Sequence, residues 1–424
     1  MLYYLHFLRE YWGPARLAEY QSVRAFAAGA IALLFGYFIS SRLIECFKRR
    51  GYYQGERGAA VVGDSAKDAC PPVPTFGSAL IFAPALASVV LFVRPNALTL
   101  TALYVWLGMA AVGFADDYKK VFVRNADGSR GDGLSERAKT LWLAFVAFAG
   151  AAFLLAVPET RTQFIEVWIP IYKHALLSLD TYRSWFAGVP EIAVPFAEGW
   201  VFSPALLVGG AVATAVFVGV TWCTSNAVNL TDGMDGLSAG CVITNLLAFG
   251  LVAYLCGHAN FANYLHISRV AGAGELAVMS AALLGGCLVF LWHNAHPASI
   301  YMGDAGALGL GGFVGTVAVM TNHPLLILVI GGVFVAEAGS ALLQRRYFKW
   351  TKGKAPPLPD GTPQGWRIFK ATPLHMHFKE RSREGILVRW PIQGRSWPEE
   401  KIVVRFWMAS LLCALAGLAS LKLR

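Results

Sequence analysis

The chain has 424 residues and a formal net charge of +10, with 56% hydrophobic and only 15% charged residues. Soluble domains carry about 25% charged residues, and the mean hydropathy of +0.50 points the same way, so the composition is that of a membrane protein and not of a string of soluble domains. The basic residues are scattered over membrane-adjacent loops, which makes nucleic acid a poor partner and suits anionic lipid and phosphate.

Ten apolar runs are predicted to span the bilayer, at 24–45, 76–94, 97–115, 140–157, 203–222, 236–256, 276–293, 305–321, 324–344 and 404–422. Most approach the ~20 residues needed to cross ~30 Å of hydrocarbon. They are continuous and rich in Ala, Leu, Val and Gly, unlike the alternating strands of a membrane β-barrel. The expected fold is therefore an all-α polytopic membrane protein, with residues 1–424 forming one integral membrane domain. The first run lacks a small-residue cleavage site and reads as a retained span. With the N-terminus outside, the inside segments are 46–75, 116–139, 223–235, 294–304 and 345–403. They hold 24 of the 36 Lys and Arg residues, which puts both termini on the outer side. Two long loops stand out, an outer one at 158–202 and a basic, Pro-rich inner one at 345–403. Gly- and Ala-rich spans permit close helix contact and hence a homodimer. The seven cysteines have no metal or disulfide spacing and read as small buried residues.

The unusual polar residues fall on the inside segments. At the inner end of the third span stands Phe114-Ala115-Asp116-Asp117-Tyr118-Lys119-Lys120. Adjacent carboxylates at membrane depth are expensive and repel each other, so a nearby cation such as magnesium is expected; a solvated helix end with boundary lysines has the same sequence. Between spans five and six lies Asn226-Ala227-Val228-Asn229-Leu230-Thr231-Asp232-Gly233-Met234-Asp235-Gly236. Asn226 and Asn229 stand one helical turn apart, and the two Asp-Gly dipeptides are turn formers whose glycines let backbone approach a ligand. Beyond span seven, Asn294 and His296 precede Met302-Gly303-Asp304. Asp304 suits an N-cap of span eight, and it can also join Asp117 on one metal where the inner helix ends converge. Glu337 is the exception among the acids, a carboxylate within span nine. In the long inner loop, His375 and His377 flank Met376; neutral histidines ligate metal and protonated ones bind phosphate, although two loop histidines alone are commonly neither. There is no Gly-x-Ser-x-Gly elbow and no Walker A sequence, and no internal repeat of the kind that builds many transporters.

Taken in order on ten spans, these segments resemble the polyprenyl-phosphate N-acetylhexosamine-1-phosphate transferase superfamily and, within it, the phospho-N-acetylmuramoyl-pentapeptide transferase branch. Pro74-Thr75-Phe76-Gly77 is similar to the family's PTMGG segment, Asp116-Asp117 to its aspartate pair, 226–237 to NxxNxTDGxDGL, 302–304 to MGD and 331–337 to GGVFVxE. The resemblance runs nearly the whole chain, including the last span. It implies transfer of phospho-MurNAc-pentapeptide from UDP-MurNAc-pentapeptide to undecaprenyl phosphate, giving lipid I and UMP. That is the first membrane step of peptidoglycan synthesis, carried out at the cytoplasmic face of the bacterial inner membrane with Mg2+. By the same matching, Asp117 and Asp304 become metal ligands, joined by Asn229 and Asp232. Asp116 becomes the base or phosphate-orienting group. Asn226, Asn229, Asp232 and Asp235 line the nucleotide pocket, Asn294 meets the nucleoside or phosphates, and Lys120 and Lys139 supply positive charge. His375 and His377 match two of three consecutive family histidines as substrate-binding groups.

Three departures stand against the pattern. Met376 replaces the middle histidine, Cys70-Pro71-Pro72-Val73 replaces a Lys/Arg-Gly-Thr (with Lys67 as the nearest cation), and 379–396 reads as an insertion. The competing readings are a sister enzyme that moves GlcNAc-1-phosphate and, from another class, a membrane transporter. The Pro-Leu-His-x-His-Phe motif favours the muramyl branch, and the clustering of acids at span ends argues against transport.

Overall fold

The structure is a computed structural model; the residues described are 2–53, 73–123, 131–168, 175–189, 192–193, 201–356, 363–379, 388 and 396–422. Long helices dominate: α1 (Gln21–Arg49), α2 (Ser78–Phe92), α3 (Ala97–Phe122), α4 (Glu136–Ala156), and, after the short α5 (Pro158–Ile165) and α6 (Leu179–Trp185), α7 (Pro204–Thr231) and α8 (Leu237–Gly257). The short α9 (Ala259–Leu265) leads to α10 (Gly274–Asn294), α11 (Gly303–Met320), α12 (Ile327–Ile330), α13 (Gly332–Trp350), α14 (Leu374–Lys379) and α15 (Glu399–Ser420). Eight of these are long and apolar enough to cross a membrane, and a ninth span arises if the bent pair at 324–330 and 332–350 counts as one. The chain is thus a polytopic membrane protein. The remaining expected run, 76–94, yields only the 15 residues of α2, about 22 Å of helix.

The long connection at 158–202 contains α5, α6 and two short antiparallel ladders, β1 (Val167–Trp168) with β2 (Ala175–Leu177) and β3 (Ile192–Ala193) with β4 (Val201–Phe202). Lys67, Cys70 and almost all of 379–396 lie outside the described residues.

Helix α11 is the axis of the bundle. All 18 of its residues are buried, and it packs against α3 and α7, with further contacts to α8 and α2. Its Gly-rich sequence follows from that position, since a Cβ at Gly311 would come 2.7 Å from the Ser225 Cα and one at Gly309 3.0 Å from the Ala110 Cβ. Around this axis, α1 packs on α10 and α2, α4 on α3 and α7, and α15 on α8. The bend of 85° between the two halves of span nine falls at Gly331-Gly332. Glycine, without a Cβ, lets the backbone turn sharply there.

At the end opposite the aspartates, Arg24 and Glu275 form a buried two-pronged ion pair, with both N–O distances 2.6 Å. Arg24 also donates to the Phe92 carbonyl, and Glu275 accepts from the Arg94 N–H. This ties α1, the α2–α3 connection and α10 together. The same connection starts α3 with a capping box, in which Asn96 and Thr99 each accept the other's backbone N–H.

Candidate active site

Several helices run past their apolar segments, and these extensions carry the polar motifs. Helix α3 continues to Phe122 and so puts Asp116, Asp117 and Lys120 on regular helix. Helix α7 continues to Thr231, so Asn226 and Asn229 are helical and Asp232 caps its end. The C-terminal ends of α3, α7 and α10 meet the starts of α4, α8 and α11.

Asp116 and Asp117 are 2% and 0% exposed and Asp304 is 7% exposed. One oxygen of each carboxylate falls within 4.8 Å of the others, although the three come from two helices 187 positions apart in sequence (117 to 304). Two lysines thread between them. The Lys120 Nζ stands 2.6 Å from Asp116 and 2.9 Å from Asp304, and the Lys139 Nζ stands 2.7 Å from Asp304 and 3.6 Å from Asp116. The second oxygen of Asp116 accepts the Leu134 N–H at 2.6 Å. Asp117 accepts the Ala305 N–H at 3.1 Å through Oδ2. Its Oδ1 is buried and has no hydrogen-bond partner among the described residues.

Glycines make this approach possible. Gly303 has φ +77° and a Cβ there would lie 2.6 Å from the Asp117 Oδ2. Gly133 has φ +82° and a Cβ there would lie 2.7 Å from the Asp116 Oδ1. The Pro74–Gly77 segment straps the start of α11: Tyr301 N–H donates to the Pro74 carbonyl, and the Gly77 and Ser78 N–H groups donate to the Tyr301 and Met302 carbonyls.

The other expected residues take distinct places. Asn226 donates to the Trp222 carbonyl at 2.8 Å within its own helix. The Asn229 amide nitrogen is buried without a partner among the described residues. Asp232 is half-buried and does not belong to the three-carboxylate group, which holds Asp116 in its stead. Asp235 belongs to a second cluster, with His296 at 3.2 Å and with Glu399, whose carboxylate accepts the Asp235 N–H. Glu399 in turn holds Lys379 at 2.6 Å. Asn294 is 4% exposed, accepts the Gly236 N–H at 2.9 Å and donates to the Ile300 carbonyl at 2.8 Å. Those two bonds pin one loop to the other, so the residue acts here through the backbone it holds.

The two histidines are not surface groups, being 1% and 3% exposed. His377 accepts the Lys370 N–H at 3.0 Å and packs on Phe369; burial and the Lys370 charge hold its imidazole below the ordinary histidine pKa. His375 is bound to Glu337, the span-nine carboxylate, at 3.0 Å. Met376 packs against the apolar core. The Glu337–His375 and Asp235–His296–Glu399 groupings were beyond a reading of sequence. Their members lie 38 to 164 positions apart, and only the oddity of a carboxylate inside span nine hinted at the first.

A set of hard oxygen donors, one of them buried and unpartnered, fits a small divalent cation such as magnesium, and the two lysines beside it fit phosphate. Residues 99–322 match the model of glycosyl transferase family 4. Over the whole of both chains, the protein is 37% identical to the phospho-N-acetylmuramoyl-pentapeptide-transferase of Opitutus terrae and 34% identical to that of Methylacidiphilum infernorum. It is 35% identical to that of Gemmatimonas aurantiaca, over 96% of each chain. With a carboxylate–lysine centre on a polytopic helical frame and relatives of one description along its length, the chain belongs to the phospho-N-acetylmuramoyl-pentapeptide-transferase family.

Proposed function

We propose that the protein transfers phospho-MurNAc-pentapeptide from UDP-MurNAc-pentapeptide to undecaprenyl phosphate, giving lipid I and UMP. The observation that carries this reading is the buried cluster of Asp116, Asp117 and Asp304 clasped by Lys120 and Lys139. It lies where apolar helices end, so a lipid-borne phosphate and a water-soluble nucleotide can reach it from opposite sides. The membrane is the bacterial inner membrane, the cluster faces the cytoplasm and both termini lie outside, as the excess of Lys and Arg in the inner segments indicates.

The chain's own residues divide the work. Lys120 and Lys139 bridge Asp116 and Asp304 in the resting site, and they turn toward the diphosphate oxygens when the donor binds. Asp116, anchored by the Leu134 N–H, orients the acceptor phosphate; that phosphate is largely ionised near neutral pH and needs little help from a base. Asp117, whose Oδ1 has no partner among the described residues, and Asp304 would hold Mg2+. When bound, Mg2+ supplies neutralising charge to the diphosphate and to the departing UMP. Asn229, Asp232 and Asp235 serve the nucleotide side, with Asn226 and Asn294 shaping the loop that carries them.

UMP release from purified protein given undecaprenyl phosphate and each UDP-sugar, with and without magnesium, tests the proposal. Magnesium-dependent release from UDP-MurNAc-pentapeptide is expected. Turnover of UDP-GlcNAc alone would overturn the choice of substrate.

A further inference from the structure

Glu337 lies within α13 and is wholly buried. An ionisable group at that depth is costly unless it is paired. Both of its oxygens serve one residue: Oε1 accepts the His375 backbone N–H at 3.1 Å, and Oε2 lies 3.0 Å from the His375 ring Nδ1. A carboxylate only accepts, so the ring carries a proton on Nδ1 and is held at two points. The ring's other nitrogen, Nε2, is buried too and has no partner among the described residues. It is aimed at Gly233, between Asp232 and Asp235 in the α7–α8 turn. A Cβ at 233 would overlap Nε2 and come within 3.0 Å of the His375 Cε1. In its neutral form the ring so held offers a lone pair at that turn, which suits an N–H or O–H donor of a uridine nucleotide.

We propose that Glu337 is a positioning residue for the nucleotide half of the donor, a role that rests on the transferase reading above. It fixes the His375 ring so that Nε2 faces the Asp232–Gly233 turn and takes a hydrogen bond from the bound uridine moiety.

The test uses the full chain in detergent, with UMP alone as the probe in calorimetry and KM measured separately for the nucleotide donor and the lipid acceptor. Glu337→Gln frees the ring to change tautomer. It is expected to weaken UMP binding roughly tenfold, the size of one buried hydrogen bond, and to raise the donor KM while leaving the lipid KM unchanged. His375→Ala should do the same, the double variant should be no weaker than His375→Ala, and Glu337→Asp should recover part of the loss. Unaltered UMP affinity in Glu337→Gln, equal damage to the lipid KM, or additive losses in the double variant would overturn the role. If Glu337→Gln fails to fold, Gly233→Ala probes the same contact from the turn, and wild-type UMP affinity in that variant would overturn it as well. Wild-type protein that binds UMP but does not turn over UDP-MurNAc-pentapeptide would count against the transferase reading and leave the positioning role standing.

Discussion

Three carboxylates lie within reach of one another with two lysines between them. Each aspartate is held by a different device: Asp116 by a backbone N–H and two ammonium groups, Asp304 by both lysines, Asp117 by one backbone N–H with an oxygen to spare. Replacing Asp117 or Asp304 by Asn keeps the shape and removes the charge. Either variant is expected to lose roughly a hundredfold or more in turnover, the scale of a preorganised electrostatic contact, with its thermal transition nearly unchanged. UMP-release kinetics alongside a melting curve check this, and near-wild-type rates in either variant would remove the metal assignment. Lys139→Met should lower turnover by at least roughly tenfold, because Asp304 loses its 2.7 Å partner and the incoming phosphate loses a cation. The sequence made these residues legible one at a time, since charges at span ends are out of place. It could not show that Asp116 joins the cluster where Asp232 had been expected, because side-chain direction at the end of α7 depends on how that helix terminates.

Helices α3 and α11 determine how near Asp117 and Asp304 can come. Gly113 lies one turn before the aspartate pair, and a Cβ there would overlap the Asp304 carbonyl and stand 2.6 Å from the Ala305 Cα. Gly113→Ala should therefore spread the two helices and cost activity more than stability, by at least roughly tenfold in kcat/KM, since angstrom-scale misplacement is expensive at a reacting centre. Parallel turnover and melting measurements separate the two effects; an active Gly113→Ala enzyme would show that the close approach is dispensable. At this scale the apolar runs located the helices, but the ends were drawn too short. Hydropathy stops at residue 115 on α3 and 222 on α7, whereas hydrogen bonding carries the helices to Phe122 and Thr231. The run at 305–321 is short and rich in Gly, which leaves its ends hard to place from sequence; it forms the helix Gly303–Met320, buried throughout. Glycine there serves close packing on α3 and α7. The bend at Gly331 was missed because continuous hydropathy carries no information about direction.

Across the whole molecule the polar residues divide between two ends. One holds the aspartates, lysines and histidines, while the other holds the Arg24–Glu275 pair, buried on both partners. Arg24→Met would leave Glu275 charged and unpaired against α1. That is expected to cost about 3–5 kcal/mol of stability, read as a lowered Tm in detergent, with KM values unchanged in protein that remains folded. A variant with wild-type Tm would show that the pair is idle. Alternation of the spans already assigned all four polar motifs to one side, which is why so much of the centre could be anticipated from a linear chain. What alternation cannot supply is the inward turn of 363–379, which buries both histidines and binds His375 to Glu337 of α13.

On the proposal above, Asp117 and Asp304 together hold one divalent ion. Mn2+ in place of Mg2+ makes it visible: electron paramagnetic resonance of the purified protein should show one tightly bound ion that disappears in both Asp117→Asn and Asp304→Asn, whereas undiminished Mn2+ binding in either variant would contradict the account.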